Sequence, residues 1–170
     1  MKMQLLGLAV LGLAALTACS SEQSLMQPVA LSHVESTGCK TSYSAKESRP
    51  EYYEEEREKT PKLTIAVDDK GVAAFSMTDL EFNCATERVD VRLEANDEEL
   101  RLVMVPYMED PSMEADCLCK YDAGFQLAHL ASGKYHLKVY VADGFGQYNA
   151  SSPLFDRWVW LKPHATVEIE

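Results

Sequence analysis

The feature that most narrows the fold is hydrophobic alternation with a period of two, repeated in short runs. Leu63, Ile65 and Val67 alternate with Thr64 and Ala66. In an extended chain successive side chains point to opposite faces, so such a run buries one face and wets the other. Val89, Val91 and Leu93 repeat the pattern against Asp90 and Arg92. Leu100 to Val105 continues as a further strand, and Tyr135, Leu137, Val139 and Val141 alternate again. Phe125 with Leu127, Trp158 with Trp160, and Val167 with Ile169 give shorter examples. Turn-forming clusters such as 68-DDKG-71 and 96-NDEE-99 separate the runs, and no long segment keeps a 3.6-residue period. The expectation is an all-β fold, an antiparallel β-sandwich.

The run 121-YDAGFQLAHLASGKYHLKVYVADG-144 predicts a hairpin around 131-ASG-133. A three-residue loop sets Leu127 opposite Leu137 and Phe125 opposite Val139, all on one face. A one-residue change of register would put those side chains opposite polar neighbours. Gly133 supplies the left-handed position that such loops commonly need. The same register puts His129 on the core side near Tyr135 and His136 toward solvent, which gives no two-histidine metal site.

The first residues point to export. Lys2 precedes an apolar stretch over residues 4–16, with small residues after it, the pattern of a secretory signal and short for a membrane span. Leu16-Thr17-Ala18-Cys19 resembles the bacterial lipobox. That resemblance implies cleavage before Cys19, diacylglycerol on its thiol and an acyl group on its amine. With Ser20 rather than Asp after the cysteine, it also implies an outer-membrane destination. The expected layout is a signal peptide over residues 1–18, a tether over 19–36 and a single β-sandwich domain over 37–170. Within that domain, the acid-rich segment 46–62 is expected to be a solvated loop, with Tyr52 and Tyr53 lying against the body. Removing residues 1–18 discards Lys2 and leaves 15 basic against 27 acidic residues, a net charge of −12. That sign excludes nucleic acid as a partner and leaves anchoring to the acyl chains.

Setting Cys19 aside leaves Cys39, Cys84, Cys117 and Cys119, an even number in an oxidising compartment. Residues two apart in a strand have side chains running parallel and Cα atoms about 6.5–7 Å apart, poor geometry for a mutual disulfide. Cys117 and Cys119 therefore seek Cys39 and Cys84, in either of two connectivities. Zinc knuckles are usually C-x2-4-C, and redox motifs C-x-x-C, so the C-x-C spacing fits neither.

The pattern C-x-C-x-Y-D-x-x-F-x-L-x-x-L-x-x-G-x-Y-x-L, running from Cys117 to Leu137, resembles one in small lipoproteins of Gram-negative gut anaerobes. Gly133, Tyr135, Leu137 and Val139 are also similar to a strand of transthyretin-like and Ig-like modules on bacterial surface proteins. The resemblance covers about 21 residues, the lipobox aside. It implies an Ig-like or transthyretin-like, disulfide-stapled sandwich and transfers no catalytic residues.

No Ser/His/Asp constellation, glycine-rich phosphate loop or spaced calcium motif stands out, so no catalytic residue, metal site or cofactor is expected. The segment 143-DGFGQYNASSPLFDRWVW-160 places Phe145, Tyr148, Phe155 and Trp158 among glycine, amide and hydroxyl groups, a candidate binding surface. The alternative for Phe155 and Trp158 is that they plug one end of the sandwich. The functional expectation is a lipid-anchored, non-enzymatic protein-binding or structural module at the outer membrane. Two alternatives stand beside it: a glycan-binding accessory lipoprotein using Tyr148, and a thiol or metal protein using Cys117 and Cys119.

Overall fold

The computed structural model describes residues 28–40, 42–44, 59–96 and 98–170. The signal peptide, Cys19, and residues 46–58 with Tyr52 and Tyr53 lie outside the described residues. Among the described residues there are ten strands and no helix: β1 (Ala30–Ser36), β2 (Ser42–Ser44), β3 (Lys62–Val67), β4 (Ala73–Asn83), β5 (Arg88–Ala95), β6 (Glu99–Tyr107), β7 (Cys117–Ala128), β8 (Gly133–Val141), β9 (Phe155–Leu161) and β10 (Thr166–Ile169). They form two sheets packed as a sandwich. One runs β1-β7-β4-β3-β10, with β2 also paired to β7, and the other runs β5-β6-β8-β9.

The turns form where side-chain acceptors meet backbone donors. Asp68 Oδ1 accepts from the N–H groups of Lys70 (2.9 Å) and Val72 (2.8 Å), and Gly71 supplies φ = 77°. Asn96 Oδ1 does the same for Glu98 and Glu99. The alternation then delivers one face of each sheet to the interior. Leu63, Ile65, Phe75, Met77, Tyr121, Phe125 and Leu127 come from the larger sheet, and Leu100, Leu102, Met104, Leu137 and Val139 from the smaller. Phe75 and Phe125, directly opposite across β4 and β7, stack with centroids 4.8 Å apart.

Three expectations need correction. Residues Ala30–Ser36, assigned to the tether, are a strand: Ala30 pairs with Ala128 and Ser36 with Ala123 of β7. β1 is half-exposed and interrupted by a bulge between Ser32 and Glu35, with His33 at φ = 52°. Its backbone pairing holds it, and such a strand leaves no hydrophobic period to read. Second, β7 and β8 are not a hairpin. Leu127 and Leu137 are both fully buried, but β7 lies in the larger sheet and β8 in the smaller, so the link 129–132 crosses between sheets. The positive φ in that link belongs to His129 (63°), which is exposed, and not to Gly133. Third, the smaller sheet is mixed. The chain leaves β6, crosses over as β7 and returns as β8, and β6 and β8 pair in parallel.

Phe125→Ala is expected to cost about 3–5 kcal/mol of unfolding free energy, because it opens a void inside the stacked core. Gln126→Ala, on the opposite face of the same strand, is expected to cost less than about 0.5 kcal/mol. Urea unfolding of the two variants checks both values.

Candidate functional site

The strand directions give the sandwich two unlike ends. Ala30, Ala128, Gly133 and Leu161 meet at one end, through the pairs Ala30–Ala128 and Gly133–Leu161 and the short link between β7 and β8. The chain enters the body there. At the far end stand the loops 84–87, 108–116 and 142–154, where β4, β6 and β8 finish and β5, β7 and β9 begin.

Both disulfides brace the far end. Cys39 bonds Cys119 and Cys84 bonds Cys117, each with Cα atoms 5.6 Å apart. The neighbours in C-x-C do not bond each other, and adjacent cysteines of β7 reach to opposite sides of that strand. All four thiols are thereby used, leaving no thiolate among them for a metal or a redox reaction. Among the described residues, no group of three His, Cys, Asp or Glu is placed to hold a metal ion. Tyr121 adds a further tie. Its buried hydroxyl donates toward the carbonyl oxygens of Thr86 (3.0 Å) and Asn83 (3.3 Å), fixing the loop that carries Cys84, and burial raises its pKa.

The four aromatic residues nominated from sequence do not form one surface. Phe155 lies in the core at 7% exposure. The inner face of β9 demands an apolar residue there, and the expected end plug is correct for this side chain. Tyr148 packs on Tyr140, centroids 4.8 Å apart, over a small apolar patch of Val103, Val105 and Ala142 on the outer face of the smaller sheet. One face of its ring is therefore occupied, which weakens it as a sugar-stacking platform. Trp158 stands on the outer face of β9, 53% exposed, and does not plug the sandwich. Only Phe145 presents itself from a loop tip, 66% exposed.

The Phe145 loop is built rather than slack. Asp143 Oδ1 accepts from the N–H groups of Phe145 (3.0 Å) and Gln147 (2.8 Å), and Asp143 N–H donates to the Gln147 carbonyl (2.8 Å). Gly146 takes φ = 74°, and the Arg92 guanidinium donates to its carbonyl at 3.2 Å. A nearby loop adds Met113, 71% exposed, and the end of β6 adds Tyr107, whose ring lies under the Arg88 guanidinium at 3.6 Å. An open depression of about 430 Å³ is lined by Ala85, Glu87, Met108, Glu109, Asp110 and Met113. Its rim is acidic and thioether-rich. The Ser112 hydroxyl and N–H hold the Asp110 carboxyl below its usual range, so it stays charged.

Sequence reading did not nominate Trp160, although its i,i+2 relation to Trp158 was visible. Both indoles project from the outer face of β9, where Trp160 is 59% exposed. The His136 ring stacks on Trp158 (4.7 Å, 12°) and its Nε2 meets Asp156 Oδ1 at 2.5 Å. His136 is thus packed, not simply solvent-facing as expected. Beside it a charge network spans three strands: Lys138 Nζ donates to Glu99 (2.7 Å), and Arg101 donates to Glu99 and Glu94 (2.8 Å each).

No protein family matches this sequence, and no curated protein or solved structure is significantly similar to it. Function therefore has to be argued from the geometry.

The Lys138 ammonium, with help from Arg101, holds the Glu99 carboxyl below its ordinary value. A depressed carboxyl contributes stability that is present above its unfolded pKa and lost as pH falls through the folded one. Glu99→Gln is accordingly expected to destabilise the protein at neutral pH, with the gap from wild type closing on acidification. Thermal melts across a pH series check this, and a gap that does not change with pH contradicts it.

Proposed function

We propose that the protein is a lipid-anchored module of the outer membrane, held through Cys19, that binds a protein partner without catalysing a reaction. Its working surface is the loop-bearing end, away from the point where the chain enters the body. The observation that carries this reading is Phe145, a large apolar side chain two-thirds exposed on a loop fixed by Asp143, Gly146 and Arg92. An exposed aromatic on a pre-organised loop is the kind of anchor that fills a pocket on a partner at little entropic cost. Met113 adds a flexible, polarisable contact. The acids Glu87, Glu109 and Asp110 around it favour a partner with a basic rim, which would steer its approach.

Two disulfides and the Tyr121 tie support the same reading, because they keep the loops in register with the sheets beneath. The lipobox-like Leu16-Thr17-Ala18-Cys19 supports the anchor. Acyl chains hold a protein firmly at a membrane, at about 0.8 kcal/mol per buried CH2.

A photocrosslinking residue placed at position 145, 113 or 126 in intact cells tests the proposal. Discrete adducts are expected at 145 and 113 and none at 126, which lies on the outer face of the other sheet. Phe145→Ser is expected to abolish the adduct formed from position 113. Equal labelling at all three positions, or none at 145, contradicts the proposal.

A further inference from the structure

We propose that Trp158 and Trp160, with Lys134 and Lys162, form a second membrane contact that lays the body against the lipid headgroups. This rests on the lipid-anchor reading and adds an orientation to it. Trp158 and Trp160 share the outer face of β9. Strand geometry sets such side chains about 6.5–7 Å apart. At 53% and 59% exposure they are among the most exposed large apolar residues described, and β9 is an edge strand.

Two lysines stand beside them. The whole sequence carries −11, yet Lys134 stands directly across from Trp160 and Lys162 follows the last residue of β9. Among the described residues neither lysine is in an ion pair, whereas Asp156 is engaged by His136, and Glu99 by Lys138 and Arg101. The Lys134 ammonium lies 4.7 Å from the Trp158 ring centroid. Indole rings beside lysine suit the bilayer interface, where the ring sits at headgroup depth and the cation meets phosphate.

The position of the tether points to the same occupant. Trp160, Lys134 and Lys162 lie at the end of the sandwich where Ala30 begins the first strand. From Cys19 to Ala30 is eleven residues, a reach of at most about 36–40 Å even when fully extended. A body held that closely, by that end, can bring this patch to the surface without turning over. Strand addition to the β9 edge is a poorer account of the exposed indoles. Arg157 occupies a position on the core-side row of β9 and is exposed there, the kind of edge charge that discourages pairing with another strand.

The sequence contains two tryptophans, both in this patch, so tryptophan emission, excited selectively over the eight tyrosines, reports on it alone. The lipidated full chain is reconstituted on vesicles of phosphatidylethanolamine and phosphatidylglycerol. Trp158→Phe and Trp160→Phe each leave one reporter. In both variants the emission is expected to shift to shorter wavelength, to lose most of its quenching by aqueous acrylamide, and to be quenched by brominated acyl chains. Emission unchanged on vesicles that carry the protein through flotation overturns the second contact and leaves the anchor intact. Protein that does not float with the vesicles overturns the anchor reading and this proposal with it. A shift produced by soluble polysaccharide and not by vesicles reassigns the patch to glycan and also overturns the proposal.

Discussion

The architecture depends on the burial of β7 between its neighbours. This twelve-residue strand pairs with β4 along one side and with β1 and β2 in succession along the other. Its inward residues Tyr121, Ala123, Phe125 and Leu127 fill the middle of the core. Each large apolar side chain removed from water contributes about 1.5–3 kcal/mol, and β7 concentrates several of them on one strand. The same strand carries both half-cystines of C-x-C. Hydrophobic burial in its second half and covalent bonds in its first half act on one element, so the loops at the far end inherit the order of the core.

That division gives the molecule a polarity. The end with the disulfides holds the exposed Phe145 and Met113 and an acidic rim. The end where the chain enters holds the tryptophans, with Lys134 over the Trp158 ring. The two ends are therefore chemically different, one acidic and thioether-rich and the other carrying exposed indoles beside lysine. Buried polar groups are placed to serve this order. Lys120, 2% exposed, is satisfied by Glu81 and the Lys59 carbonyl. Lys40 joins Asp79 and Asp122 to fasten the segment after β1.

Much of the fold was legible because alternation reports burial directly. Leu63, Ile65 and Val67, the β5 valines and the β8 run each lie where the period places them, and the Asp68 and Asn96 turns follow from side-chain acceptors. Pairing was less legible. Alternation says that Leu127 and Leu137 face the interior, but two strands facing each other across a core show the same pattern as two strands side by side. The predicted hairpin failed for that reason. β1 was missed because its bonds are backbone to backbone and its faces are half wet. For the site, spacing could exclude a Cys117–Cys119 bond but could not choose between the two remaining connectivities, which depend on the placement of the Cys39 and Cys84 loops. Phe145 was recognisable as an aromatic among turn residues. Phe155, ten residues on, looks alike in sequence but begins β9 on its inner face and is buried.

The central claim is that β7 is cross-braced at its start by two separate partners. Peptide mapping of the unreduced protein by mass spectrometry tests this most directly. The account predicts linked peptides containing Cys39 with Cys119 and Cys84 with Cys117, and no free thiol among the four. Cys39 joined to Cys117, Cys84 joined to Cys119, or titratable thiols at these positions would contradict it, because the registers of β2 and β4 on β7 would then be different.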